Sequence, residues 1–417
     1  MIIIVGAGMA GLACAARLEE AGLDWLLLEA SNQPGGRVAT EVTPEGFRID
    51  CGFQVLLDSY PTARRLLDLP ALEPRYFESG AVLAGKGGLE TLLNPLHHPG
   101  SLPTALASHA FSFHEKIALA LLAALGILRS DEVLLSQESK LSSLEELSRF
   151  GLSGDALEKF LRPFFAGVFL DNDLGTESSL LRYYLKKFAL GRALLPAKGM
   201  GEIPRQLSGR LPRSRQRYLA PVEAIERDGD QVVAIRLTSG ERIECSKVVL
   251  ATEENVTYSL LGLPHTEGRD WSEVTTLYFT GVEPLYKGAL LVLPEGKERL
   301  VRHFVDLTNT APEYAPAGCR LLSATLLHKG EGGGGDLISA AQREITSIIP
   351  SFSKWEFLKE VRIRRALPSQ KPGYRNLQLP RRQGSNLWLA GDQVAPASID
   401  STLASGLRAA DEVIACS

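Results

Sequence analysis

A chain of 417 residues, 45% of them hydrophobic, can bury more than one core, and about 150 residues per domain suggests two or three units. Its 45 lysines and arginines face 49 acidic residues, a balance that gives no whole-surface attraction to nucleic acid or anionic lipid. Five scattered cysteines without a CxxC pair argue against a disulfide framework or a zinc site and read as reduced thiols of a cytosolic protein.

Ile2 to Val5 is a short β-branched run, followed by glycine punctuation and then by apolar residues at helical spacing from Leu12 to Ala21. Strand, tight turn and helix are expected in that order. The fingerprint begins at Gly6, so no secretory leader is expected before it. Gly6-Ala7-Gly8-Met9-Ala10-Gly11 matches GxGxxG. In such a motif Gly6 permits the turn, Gly8 lets backbone approach a pyrophosphate, and Gly11 allows close packing of helix on sheet. Phosphate would sit at the helix N-terminus, beside Met9 and Ala10. Leu26 to Leu28 is the next buried strand and ends on Glu29, placed to accept hydrogen bonds from ribose hydroxyls. Ala30 to Arg37 follows, where Gly35 and Gly36 expose backbone N–H groups and Arg37 adds a guanidinium for a second pyrophosphate contact.

The run from Glu29 to Gly35-Gly36-Arg37 resembles the signature of the flavin amine oxidase superfamily, which includes monoamine oxidases, protoporphyrinogen oxidases and phytoene desaturases. The resemblance implies FAD as cofactor. It also implies that the strand Phe47 to Gln54 carries Gly52, Phe53 and Gln54 past the flavin.

From Tyr60 the pattern changes to proline-separated helices, Pro61 to Leu67, Pro103 to Leu128, Ser143 to Phe150 and Asp155 to Phe165, read as a largely helical insertion. Lys116 to Leu128 holds about a dozen uncharged residues, whereas a bilayer span takes roughly 20. A buried helix is the preferred reading, and a helix lying in a membrane surface the second. Phe160 to Leu170 and Leu195 to Met200 look like the phytoene desaturase and protoporphyrinogen oxidase branch, with Lys198 where an extra glycine is usual. Lys198 reads as a solvated loop lysine.

Between Arg217 and Leu250 alternation returns, with hairpin turns at Asp228-Gly229-Asp230 and Ser239-Gly240-Glu241. Val222 is similar to the family's strand that meets the adenine, and Ala251 and Thr252 follow the buried strand Lys247 to Leu250. Val274 to Phe279, Leu290 to Leu293, Leu300 to Val305, Leu321 to Leu326 and Phe357 to Arg364 are expected strands, with a flexible connection at Gly332 to Gly335 and a helix from Asp336 to Ile349. A last strand, Asn386 to Ala390, leads to Gly391 and Asp392, which resemble the family's LAGD element that holds the ribityl chain. The helix after it resembles the one whose N-terminus, here Ser398, Ile399 and Thr402, faces the isoalloxazine. Ser401 to Gly406 departs from the family's Gly-Ala pair and glutamate.

The strand Val274 to Phe279 lacks the lysine that amine oxidases set near the flavin, and Gln393 stands where their aromatic wall is expected. Amine oxidation is thereby disfavoured. His109 and His114 are five apart and His97-His98 precede a proline, so no metal site is expected. Arg213, Arg215, Arg217, Arg362, Arg364, Arg365, Arg381 and Arg382 read as solvated strand faces, and no GxSxG element points to a hydrolase.

The expected fold is an α/β two-domain flavoprotein. Residues 1–58, 190–265 and 380–417 form a Rossmann-like, GR2-type FAD-binding domain, and 59–189 and 266–379 a substrate domain of mixed sheet and helices. The expected function is FAD-dependent dehydrogenation, or flavin-dependent isomerisation, of a hydrophobic conjugated molecule such as a carotenoid-like polyene or a tetrapyrrole. A soluble amine oxidase, or a flavin-binding protein without net redox turnover, is the alternative. The expected location is the cytoplasm, with weak contact to a membrane surface as the further option. No side chain is named as a general base, and the electron acceptor is left open.

Overall fold

The computed structural model describes residues 1–85, 87–108, 110–264, 270–327 and 335–416. His109 and the run Gly332 to Gly334 lie outside the described residues. Four apolar residues buried on both faces, Ile2–Val5, form β1. Met9–Glu20 (α1) follows the glycine turn, and Trp25–Leu28 (β2) returns parallel to β1 with Ile2 opposite Trp25. The chain then leaves this layer. Gly80–Gly85 (β3) and Gly88–Leu93 (β4) form a hairpin, and among the helices that follow are Leu102–Ala107 (α2), Phe113–Ile127 (α3), Arg162–Phe169 (α4) and Ser178–Leu190 (α5). Gln216–Arg217 (β5) and Lys247–Leu250 (β6) rejoin the first sheet, separated by the two expected hairpins.

A second excursion supplies Trp271–Gly281 (β7), Leu291–Pro294 (β8), Val301–Asp306 (β9), Arg320–Leu326 (β10) and Glu356–Pro368 (β11). Leu387–Leu389 (β12) and Ile399–Ala415 (α6) close the chain. The first sheet has the order β5-β2-β1-β6-β12 and is parallel throughout. Strand order reverses at β1, and a crevice at the carboxyl ends of the strands is the expected ligand site of such a sheet. The second sheet has the order β11-β7-β10-β9-β8-β3-β4.

Two local expectations are corrected and one is extended. The insertion after Tyr60 is largely helical, as expected, but it also supplies strands, because β3 pairs in parallel with β8, Ala81 opposite Leu291, and extends the second sheet. A pairing between positions so far apart leaves no local periodicity to read. The expected helix from Pro103 to Leu128 is broken, because Ser112 and Glu115 form a reciprocal capping box that starts α3 afresh. Nor is α3 a buried helix: Ala118, Leu122 and Gly126 face inward, while Phe113, Ile117, Leu121 and Leu125 are exposed. Gly126 lies so close to the Arg182 carbonyl of α5 that a Cβ would stand 2.7 Å from the oxygen.

Asp50 ends a two-stranded ribbon of Thr40–Val42 and Arg48–Asp50 and ties it to the second sheet. Its carboxylate accepts from Thr40 Oγ1, from Met200 N–H at 3.0 Å and from Tyr314 Oη at 2.8 Å, and Tyr278 Oη donates to its carbonyl at 3.0 Å. Burial pushes this carboxyl up from 3.8 to about 6, against those hydrogen bonds, which favour the charged form.

Candidate cofactor and substrate cavity

Gly6 has φ +101°, and a Cβ there would stand 2.6 Å from the Ala251 carbonyl oxygen, so turn geometry and crowding both require glycine. Gly8 is the N-cap of α1, which has no side-chain cap and no acidic residue in its first turn. A Cβ on Gly8 would meet no protein atom within 4 Å, because that face is open cavity. The uncapped amides therefore point their partial positive charge into the cavity, as an anion site requires. Gly11 does not line it. A Cβ there would be 1.9 Å from the Gly6 carbonyl oxygen, so this member of the predicted binding set is a packing residue.

Glu29 follows directly on β2 and orders the turn, accepting from Ala7 N–H at 2.7 Å and from Ser31 N–H at 2.8 Å. Carboxylate oxygens accept about two hydrogen bonds each, which leaves capacity for ribose hydroxyls. Ala30, Gly35 and Gly36 continue the wall. Arg37 donates through Nη2 to Asp392 Oδ2 and through Nη1 to the Ala366 carbonyl at 2.8 Å. The two motifs read separately at either end of the sequence thus meet. Gln54 donates from Nε2 to the carbonyls of Arg37 (2.8 Å) and Cys51 (2.9 Å), and its buried Oε1 has no partner.

Val222, Ala251 and Thr252 line one end of the same cavity, and Gly52, Phe53, Gly391, Asp392, Ser398, Ile399 and Thr402 line it further along, as do Gly6, Gly8, Met9 and Ala10. Gly391 has φ +114°, its N–H donates to Ser405 Oγ at 3.0 Å, and the space where its Cβ would stand is open. Ser398 caps α6 by accepting from Ser401 N–H at 3.0 Å. Backbone amides and a guanidinium suit the phosphates of a dinucleotide, and Glu29 with Asp392 suits its hydroxyls, so the residues present fit an FAD-sized group.

The cavity measures about 1380 Å³, beyond the roughly 300–1,000 Å³ of a single small-molecule site. Its remaining arm is apolar. Phe111, Phe160, Phe164 and Phe188 form tilted, stacked and edge contacts in its wall, and Leu119, Ala123 and Ile127 of α3 close the side. The only lysine among the described lining residues is Lys116, whose Nζ donates to the carbonyls of Leu106 and Ser108.

Sequence reasoning missed several lining residues. Tyr60 and Tyr184 stand in the wall, Tyr184 donating to the Ala397 carbonyl at 3.2 Å, and His303, Thr325 and Glu78 also face the cavity. Their elements were legible, but long-range packing decides what lies near what. Gln393 is buried with Nε2 on the Ala390 carbonyl at 3.2 Å and does not line the cavity. It therefore does not stand in for an aromatic wall, and that argument against amines falls. Lys198 is exposed and pairs with Glu73 at 3.5 Å, as a loop lysine does. Arg217 is bidentate to Glu241, and Arg215 donates to the Leu23 carbonyl at 2.7 Å. Among the described residues no cluster of metal ligands occurs and no helix is long and apolar enough to cross a membrane.

The profile of flavin containing amine oxidoreductases matches residues 9–414. Phytoene dehydrogenase of Streptomyces griseus is 29% identical over 299 residues, covering 63% of this chain and 56% of that protein. A lycopene-forming phytoene desaturase of Pseudescherichia vulneris is 45% identical over 65 residues, covering 16% of this chain and 13% of that protein. This chain thus spans little more than half the length of the first of these relatives. Among solved structures, a putrescine oxidase triple variant superposes with a TM-score of 0.76 at 18% identity, covering 100% of this chain and 99% of the other. A putative protoporphyrinogen oxidase of Exiguobacterium superposes with 0.68 at 20% identity, covering 99% and 98%. At such identities the likeness concerns the fold.

Proposed function

The chain belongs to the flavin containing amine oxidoreductase family, and on that premise we propose that it dehydrogenates a hydrophobic conjugated molecule, a carotenoid-like polyene first and a tetrapyrrole second. The family brings FAD as the cofactor. Bound FAD supplies a two-electron acceptor, so that a substrate loses two hydrogens, as hydride and proton, and gains a double bond.

The observation that carries the reading is the apolar arm. Phe160 and Phe164 with the alanine-rich inner face of α3 leave a bore that a long hydrocarbon can fill and water does not favour. Gly6, Gly8, Met9, Ala10, Gly35, Gly36 and Arg37 would hold the phosphates, Glu29 the ribose, Val222, Ala251 and Thr252 the adenine end, and Asp392 with Gly391 the ribityl chain. Gly52, Phe53 and Gln54 would lie against the ring, and the amides of Ile399 and Thr402, behind Ser398, would steady negative charge near it. The chain's own contribution is orientation and exclusion of water. The curated relatives named as phytoene dehydrogenase and desaturase support this substrate class.

Leu96, Leu102 and Leu106 are both exposed and part of the wall, so we place the entrance to the arm beside them. Ile117, Leu121 and Leu125 continue this apolar surface along α3. We assign it to weak contact with a membrane surface on the cytoplasmic side, from which a greasy substrate enters. The second reading, an amine oxidase, draws on Tyr60 and Tyr184, two phenol rings in the wall. The deciding experiment supplies C40 polyenes in vesicles with a quinone acceptor and follows the visible spectrum and product mass. Lengthened conjugation with loss of two mass units per new double bond is expected; absence of conversion for every polyene and tetrapyrrole offered would reject the proposal.

A further inference from the structure

His303 is 96% buried, being 4% exposed, and lines the cavity on β9, yet neither Nδ1 nor Nε2 has a hydrogen-bond partner. Its neighbours account for the vacancy. Phe53 meets the imidazole edge-on with centroids 5.2 Å apart, and Gly167 of α4 passes so close that a Cβ there would stand 2.5 Å from Nδ1. Thr325 of β10 is the strand partner of His303 and also lines the cavity, with a buried Oγ1 that has no partner. Thr276 of β7, the next position across the sheet and behind the cavity wall, has a second unpartnered buried hydroxyl, 3.7 Å from where a Gly52 Cβ would stand. His303 and Thr325, neighbours on paired strands, are thus set into a cavity whose other arm is aromatic and aliphatic. Buried polar groups are nearly always paired, so an unpaired histidine and threonine lining an open cavity mark where a ligand supplies the partners.

We propose that His303 and Thr325 form a polar subsite that receives one oxygen-bearing group, a hydroxyl or carbonyl, of an otherwise apolar substrate. Burial first, then the charge of Arg302, pushes the imidazole down to about 3, so the ring is neutral across the physiological range. A neutral imidazole offers one donor and one acceptor, and a threonine hydroxyl offers both. That set matches an alcohol, which donates once and accepts once. It offers no compensating charge to a carboxylate or an ammonium. A hydrocarbon would leave every one of these atoms unpaired, so the subsite narrows the substrate class from pure hydrocarbons to oxygenated ones.

This inference rests on the reading of the arm as the site of an apolar substrate, and the test separates the two. Binding of geranylgeraniol and of the hydrocarbon of the same skeleton lacking the hydroxyl is measured on the holoenzyme by perturbation of the flavin spectrum. The parent is expected to bind the alcohol about tenfold more tightly, the scale of one buried hydrogen bond. Thr325→Val, which keeps the side-chain shape, and His303→Leu should each erase that preference while leaving hydrocarbon affinity within about twofold. Equal affinities in the parent, or a preference that survives in Thr325→Val, would overturn the polar subsite and leave the apolar arm standing. Failure of both probes to bind would overturn the apolar arm and the subsite with it.

Discussion

Arg37 and Asp392, 355 positions apart, share a guanidinium–carboxylate hydrogen bond in which Nη2 donates to Oδ2. Asp392 is 4% exposed, so its carboxylate oxygens are met by protein groups. The pair fastens the glycine-rich turn after β2 to the turn after β12, across the floor of the proposed FAD site. Arg37→Ala deprives a buried carboxylate of its cation, and we expect a loss of about 1 to 3 kcal/mol in apoprotein stability, less than for a fully buried pair because Arg37 is partly exposed. Asp392→Asn keeps an acceptor oxygen and should cost less. Urea unfolding of both variants without FAD, followed by FAD titration, measures each effect separately.

Two glycines of one motif should respond in opposite ways. Gly8→Ala puts a methyl into open cavity, so the apoprotein should unfold as the parent does while FAD affinity falls at least tenfold. Gly11→Ala drives a methyl to 1.9 Å from the Gly6 carbonyl oxygen, and overpacking of this kind costs about 1 to 3 kcal/mol in the absence of any cofactor. Thermal unfolding of the two apoproteins distinguishes a cofactor contact from a packing contact, and a reversed ranking would contradict the assignment.

Asp50 makes stability depend on pH with a definite sign. Its folded pKa, about 6, lies above the model-peptide value of 3.8, so the folded state holds the proton more tightly. That contribution is complete below 3.8 and is lost as pH rises through about 6. The difference in unfolding free energy between the parent and Asp50→Asn should shift by about 2 to 3 kcal/mol over this interval, the parent faring worse at the higher pH. Parallel stability curves from pH 4 to 7 would show that Asp50 does not titrate in this way.

The sheet strands were legible where a buried run had a pattern of its own, as at Ile2 to Val5 and Lys247 to Leu250, and the cofactor residues were legible because glycines and one arginine carry backbone-specific chemistry. Hidden from local reading was whatever depends on pairing across the chain. Gly80–Gly85 is rich in glycine and alanine and shows no alternation, and its place in the second sheet comes from Leu291–Pro294 lying beside it on the side away from Gly88–Leu93. His303 reads as one residue of a buried strand, and its place in the cavity wall comes from α4 crossing over it at Gly167.

The outer face of α3 gives a membrane prediction. Ile117, Leu121 and Leu125 are exposed, and substitutions there should leave stability within about 0.5 kcal/mol. Replacing Ile117 and Leu121 together by glutamate should abolish flotation with zwitterionic vesicles while leaving FAD binding unchanged. Flotation equal to that of the parent would remove this face from the membrane contact.

On the proposed function the apolar arm serves a hydrophobic conjugated substrate and not an amine. Anaerobic stopped-flow mixing of the FAD-loaded enzyme tests it most directly, with polyenes and tetrapyrroles in one series and monoamines, diamines and polyamines in the other. Bleaching of the flavin band by at least one member of the first series and an unchanged band with every amine are expected. Bleaching by a simple amine at the rate of turnover, with none from any polyene or tetrapyrrole, would contradict it.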